Sequence, residues 1–423
     1  MLGWYGTEAL ASVVLATSFF FFIYILGSGF GIGLMGMISA ALGQGDDTGV
    51  RRQTRMGLWL SVLYGLAVMP VFIWSGPILI ALGQKPVLAE MAQDYLRIAA
   101  AGMIPALVIM VFRSYFAALE KAAVLLWVTL ASVLLNAVLN WMLIFGNWGA
   151  PELGLRGSAI ATASVQCLQM LMLAGYAAWL PSARHFRLFQ RIWRPDWHAF
   201  GQVFRMGLPA GVTLLAESGL FIAAALMMGW VGTVELAAHG IALQCASLAF
   251  MVYLGLSNAT TVKVGRAQGE GDPAGMRAVG IAAIALTCVI CAIVATAFLS
   301  MPHVLIGVFV DRASPDRAAI LGFGGTLLAM AALFQLFDAM QVIALGLLRG
   351  VQDARMPMIL AGVSYWVIGV PVSYALGFPL GFGALGIWAG LVIGLAAASG
   401  LLMARFWRRE WGAPGKAQSG VLA

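Results

Sequence analysis

The sequence predicts an all-α membrane protein made of two pseudosymmetric helix bundles, and three observations carry that prediction. Of 423 residues, 62% are hydrophobic and only 10% charged, with a mean hydropathy of +0.94. A soluble globule cannot clothe its surface with so few charges. Apolar stretches of about 20 residues or more recur along the whole length, and at about 1.5 Å per helical residue each can cross a hydrocarbon core about 30 Å thick. The third observation is that the chain resembles itself at a fixed offset.

The expected spans, in order, are 8–42, 56–82, 88–118, 122–145, 155–180, 202–228, 234–267, 275–299, 318–348, 356–378 and 384–407, eleven helices in all. Barrel strands are excluded because runs such as LLAMAALFQLF and ILAGVSYWVIGV show no alternation of apolar and polar residues. Pro70, Pro105, Pro209, Pro357 and Pro371 mark kinks or ends. The N-terminus shows no charged region followed by a cleavage site, so no signal peptide is expected.

GQGDDTGVRR, residues 43–52, returns as GEGDPAGMRA, residues 269–278. Sliding the chain over itself by 226 positions brings fourteen of the 49 residues from Gly3 to Arg51 onto identical ones. Composition alone would give about four or five. The expected organisation is an N-terminal lobe over 1–182, a basic linker over 183–200, a C-terminal lobe over 201–408 and a tail over 409–423. The lobes are unequal. The helix expected near 202–228 has its repeat counterpart upstream of Met1, so the repeat predicts one further helix in the first lobe.

Each copy of the repeated turn also contains G-x-G-D, a signature of intramembrane aspartyl proteases. That chemistry needs two carboxyl groups facing each other across helices. Here Asp46 is followed by Asp47 and by Arg51, Arg52 and Arg55, so Gly45, Asp46 and Gly49 read instead as helix stop, turn and N-cap. No Walker motif, H-E-x-x-H or dinucleotide fingerprint occurs, so no enzyme class and no resident cofactor is implied.

Basic residues gather in alternate connections, including Arg51, Arg52 and Arg55; Arg184, Arg187, Arg191 and Arg194; Arg349 and Arg355; and Arg405, Arg408 and Arg409. The positive-inside rule places those connections and the C-terminus in the cytoplasm. The net charge of +7 therefore reflects topology, and no soluble stretch exists to carry a nucleic-acid site. The four arginines of PSARHFRLFQRIWRPDW, at helical spacing, predict a short interfacial helix resting on membrane lipid. Cys167, Cys245, Cys288 and Cys291 all lie in apolar runs and read as buried small residues.

Nearly all of the seventeen acidic residues fall in connections or at helix ends, but Glu217 and Asp338 sit midway through apolar runs. An ionised group at the bilayer centre costs at least about 2.5 kcal/mol, so each must face a cavity, a partner or a cation. With no basic residue deep in any expected helix, a mobile H⁺ or Na⁺ is the expected partner, and the two carboxylates are the candidate Na⁺ ligands. In the first half the polar candidates are Asn136 and Asn140, one turn apart, and Thr162. Phe250, Gln244, Asn258 and Tyr253, on the helix after that of Glu217, are weaker candidates.

GWYGTEALAS, AALGQGDD, NAVLNWMLIFGNWGAPELGLRGSAIAT, GLPAGVTLLAESG, GLSNATTVKVGRAQGEGD and LFQLFDAMQVIALGLLRGVQDARMP occur in consistent order. On these stretches the chain resembles the multidrug and toxic compound extrusion (MATE) family, in its bacterial NorM-like branch. The resemblance implies two six-helix lobes that rock around a central cavity, with export of cationic amphipathic drugs or dyes in exchange for Na⁺ or H⁺. It implies that Glu217 and Asp338 are the cation-coupling acids, that Phe250 is an aromatic beside them, and that Asn136, Asn140 and Thr162 belong to the N-terminal lobe site. It further implies a monomer in the bacterial inner membrane. The family's first helix, which carries an aspartate of the N-terminal lobe site, has no match here. A lipid-linked precursor flippase of related fold would need midspan basic residues in the first half, which this sequence lacks; a non-transporting truncated paralogue is the other alternative.

Overall fold

The computed structural model describes residues 7–310 and 317–409. Residues 1–6, the connection over 311–316 and the tail from 410 onward lie outside the described residues. Among the described residues, eleven helices are long and apolar enough to cross a membrane, as the sequence predicts.

They are α1 (Thr7–Gly43), α2 (Asp47–Ile73), α4 (Pro86–Ala118), α5 (Ala122–Phe145), α6 (Gly154–Trp179), α8 (Trp197–Val231), α9 (Thr233–Glu270), α10 (Pro273–Ser300) and α12 (Arg317–Gly350). The tenth span runs from α13 (Arg355–Gly362) through a π-helical stretch (Val363–Gly369) into α14 (Val370–Gly377), and the last is α15 (Gly383–Trp407). Three short helices complete the set: α3 (Ser75–Ala81), α7 (Pro181–Arg184) and α11 (Pro302–Gly307). The chain divides into two compact units, Met1–Val212 and Thr213–Ala423, with the division falling inside α8.

In the first unit α4 is the central helix, packing on α1, α2 and α6, and α5 packs on α6. In the second unit α12 takes the same place against α9, α10 and α15, and α14 packs on α15. The repeat is also visible atom by atom in its turns. Gly45 and Gly271 both sit at φ +70, and Asp46 and Asp272 each cap the next helix by accepting from Gly49 N and Gly275 N, both at 2.9 Å. The backbone amides of Asp46 and Asp272 close the preceding helices on Ala41 O and Ala267 O, again at 2.9 Å. Asp46 is exposed and its side chain serves as a cap, which is the turn reading and not the protease reading.

The second span differs from expectation. It runs over 47–73 with α3 after it, not over 56–82, because the Asp46 cap starts the helix early and takes Arg51, Arg52 and Arg55 into its first turns. It breaks at Trp74 because Pro77 has no N–H to offer the carbonyl of Ile73, four residues back. That carbonyl is satisfied instead by Gln93 Nε2 at 2.6 Å and Arg97 Nε at 3.2 Å, both on α4.

The linker also departs from the expected interfacial helix. Arg187 and Arg191 have φ of 50 and 57, which breaks helical continuity, and Phe186 and Leu188 are buried. The segment is docked on α2 instead. Asp47 Oδ2 meets His185 Nε2 at 2.5 Å, Arg52 pairs with Asp196, Arg55 Nε donates to Leu188 O at 2.8 Å, and Trp59 Nε1 donates to Ile192 O at 2.8 Å. Of the cysteines, Cys245 and Cys291 are buried as expected; Cys167 is half-buried and Cys288 is exposed, turned outward from the bundle three residues before Cys291.

Without water between helices, tight approach comes from small residues. In the first unit Gly29 and Gly33 on α1 face Gly207 and Gly211 on α8, backbone to backbone. In the second, Gly386, Gly390 and Gly394, spaced by four on α15, face the backbones of Leu376, Ser373 and Gly369. A side chain at Gly390 would run into Ser373 N and Cα. This seam holds the π-helical stretch and α14 against α15, and with them Tyr365.

Candidate functional site

Glu217 and Asp338 come together in the second unit, on α8 and α12, with relative exposures of 7% and 3%. Glu217 Oε1 accepts a 2.8 Å hydrogen bond from Gln341 Nε2, one turn along α12 from Asp338. Asp338 lies within electrostatic reach of Glu217. Its Oδ1 has no hydrogen-bond partner, and neither do Gln341 Oε1 or the Tyr365 hydroxyl. Tyr365 is fully buried in the π-helical stretch, a geometry often found at functional sites.

The buried polar groups here are the two carboxylates, the Gln341 amide and the Tyr365 hydroxyl. Their chemistry is oxygen-rich and acceptor-rich, which suits a proton or a small hard cation. Among the described residues no cluster of three or more His, Cys, Asp or Glu side chains exists, so the donor set is a pair of acids supplemented by neutral oxygens.

Arg349 is a buried basic residue at the end of α12. The sequence reading placed it in a connection, but α12 continues to Gly350 and the following turn is itself buried at Val351 and Ala354. Arg349 is 7% exposed.

The side of the pair away from the basic helix ends is closed by rings. Phe221, one turn beyond Glu217, meets Phe334, one turn before Asp338, edge-on at 6.0 Å. Phe334 meets Trp388 at 5.5 Å, and Trp388 meets His239 at 5.6 Å. His239 is 1% exposed with neither ring nitrogen hydrogen-bonded. Tyr253 is fully buried and donates to Gln335 Oε1 at 2.9 Å, while Gln335 Nε2 donates to Ala246 O at 3.0 Å. Phe250 is half-buried on the same helix, three residues before Tyr253.

In the first unit Asn136 and Asn140 are half-buried on α5, and Asn140 Nδ2 donates to Asn136 O at 2.8 Å and to Asn136 Oδ1 at 3.0 Å. Their pairing is within one helix. Thr162, on α6, neighbours the Tyr95 hydroxyl of α4. A cavity of about 350 Å³ in this unit is lined by Phe20, Phe21, Tyr24, Arg113, Gln166 and Gln169 among others, not by those three residues.

Sequence reasoning missed Gln341, Tyr365, Arg349 and His239. Gln341 had a signal, an amide one turn from Asp338 in the same apolar run. Tyr365 and His239 had none, because an aromatic in an apolar helix usually only packs.

The MatE family model matches residues 1–142 and 209–375. The chain is 48% identical over 408 residues to a probable multidrug resistance protein NorM of Rhizobium meliloti, covering 96% of this chain and 87% of that one. It is 43% identical to a protein of the same description from Agrobacterium fabrum, with the same two coverages. Among solved structures, a MATE protein in a bent conformation superposes with a TM-score of 0.87 at 21% identity, over 96% of this chain and 88% of that one. A eukaryotic MATE transporter gives 0.84 at 20% identity, over 97% and 90%. The repeat, the eleven spans and the buried acid pair thus meet an independent match over most of the length, and the chain belongs to the MATE family.

Proposed function

We propose that this protein is a secondary multidrug efflux antiporter that exports cationic amphipathic compounds in exchange for Na⁺ or H⁺. The observation that carries the reading is the pair Glu217 and Asp338, buried in one bundle and surrounded by open oxygen atoms. Relatives named probable multidrug resistance protein NorM support drug efflux. The basic connections support an inner-membrane location with a cytoplasmic C-terminus, and the proposed working unit is a monomer.

Exchange requires that the ion and the drug prefer different conformations, or compete for one negative field. A carboxylate pair does the second. Empty, it repels itself and attracts any cation; loaded with a proton or Na⁺, it loses its hold on a cationic drug. Asn136, Asn140, Thr162 and Phe250 are proposed as further contacts of cation or substrate.

The test is Asp338→Asn, which keeps the shape and removes the charge. Ethidium export should cease with normal membrane levels, and unchanged export would sink the reading. Vesicles given a Na⁺ gradient and a pH gradient separately identify the ion.

A further inference from the structure

The linker docked on α2 walls off a cavity of about 370 Å³ at the start of α8, lined chiefly by Arg52, Arg55, Met56, Arg194, Asp196 and Trp197. Small-molecule sites run to about 300–1,000 Å³, so the space admits a ligand of headgroup size. Its chemistry is one-sided. Three arginines against one aspartate leave two positive charges in excess. Both oxygens of that aspartate are engaged, Oδ2 by Arg52 and Oδ1 by the backbone amide of Ala199 at 3.1 Å. Arg55 commits only Nε, to Leu188 O at 2.8 Å, which holds its two terminal nitrogens in place without a partner. The Arg194 side chain makes no hydrogen bond or ion pair among the described residues. The walls are fixed to each other, since Asp196 N donates to Met56 Sδ at 3.4 Å. A built cavity with donors in excess and every carboxylate oxygen taken calls for an anion that offers several oxygens, and the guanidinium fork matches a phosphate.

The level of the cavity points to the source of that phosphate. The 27 residues of α2 span about 40 Å against about 30 Å of hydrocarbon, so its first turns stand in the headgroup layer. Trp193, next to Arg194 in sequence, and Trp197 are both exposed, as tryptophans at a membrane interface are. We propose that this cavity binds the phosphate of an anionic phospholipid headgroup, with Arg55 and Arg194 donating to its oxygens and Arg52 held alongside by Asp196. The bound lipid would bridge α2 and the linker. Free phosphate carries the same chemistry and is separated from the lipid by the test.

The test uses the full chain purified in dodecyl maltoside and read by native mass spectrometry, titrated with dioleoylphosphatidylglycerol, with dioleoylphosphatidylcholine or with inorganic phosphate. Wild type should bind phosphatidylglycerol saturably and more tightly than phosphatidylcholine. Arg194→Gln removes charge-assisted hydrogen bonds and no contact within the protein, and should weaken phosphatidylglycerol binding about tenfold. Arg184→Gln, which removes the same charge from the linker outside the cavity, should bind as wild type does. Equal affinity of Arg194→Gln and wild type overturns the inference, and so does an equal loss in Arg184→Gln, which would reduce the effect to general surface charge. Inorganic phosphate that displaces the lipid from wild type but not from Arg194→Gln supports the phosphate site. Should Arg194→Gln fail to fold, Arg194→Lys decides: it keeps the charge without the fork, so weakened binding supports the site and wild-type binding overturns it.

Discussion

Gln341 Nε2 donates to Glu217 Oε1 across 2.8 Å, tying α12 to α8 inside the second unit and fixing one carboxylate beside the other. The remaining carbonyl oxygen of Gln341 is buried and open. One amide therefore orients an acid and adds an acceptor of its own to the same space.

Gln341→Leu should remove both contributions while filling the volume. Loss of a hydrogen bond to a charged group costs about 1.5–3 kcal/mol, which corresponds to roughly a tenfold to hundredfold fall in export efficiency. Membrane levels should stay normal. Initial rates of ethidium export, with protein quantified by immunoblot, check this, and wild-type rates would show that the amide is idle.

Much of this was legible beforehand, for physical reasons. Span length and hydropathy are imposed by the bilayer, so ten of the eleven helices fall within a few residues of expectation. Asp338 and Glu217 were legible because a charge in an apolar run is too costly to be incidental. Arg349 was not, because charge near a helix end looks like topology until the turn after it proves to be buried. The Trp74 break depended on which neighbour could take the Ile73 carbonyl, and that is a tertiary fact. The linker misled through its spacing. Its arginines have helical periodicity, yet two of them adopt positive φ because α2 offers docking partners for the backbone carbonyls of Leu188 and Ile192.

The glycine seam of α15 predicts a sharp contrast between two glycines on one helix. A Cβ at Gly390 would meet Ser373 backbone, whereas Gly400 has open space around it. Gly390→Val should separate α15 from α14 and lower stability by about 1–3 kcal/mol or more, and Gly400→Ala should be neutral or slightly stabilising. Thermal melting followed by fluorescence size exclusion in detergent compares the two.

The twin caps should be equivalent structural parts. Asp46→Ala and Asp272→Ala each remove a 2.9 Å hydrogen bond to a helix N-terminus and should each cost about 0.5–2 kcal/mol. Ethidium export per molecule in the membrane should persist in both variants. A complete loss of export from Asp46→Ala at normal levels would assign that aspartate a chemical role.

Asp196 offers a pH-dependent prediction outside the membrane spans. It pairs with Arg52, whose hydrogen bond holds the Asp196 carboxyl below the usual range, and its Oδ1 also caps the start of α8 by accepting from Ala199 N at 3.1 Å. Asparagine keeps the cap and removes the charge, so Asp196→Asn isolates the ion pair. A carboxyl depressed in the folded state stabilises it above the unfolded pKa of about 3.9, and that contribution fades as pH falls through the lower folded value. The pair is largely solvent-exposed, so the effect is small, of the order of 1 kcal/mol or less. The melting temperature of wild type should exceed that of Asp196→Asn by a degree or two at pH 7. The gap should narrow below about pH 4 and under high salt. A gap that stays constant through acid and salt would mean that the carboxylate acts by shape alone.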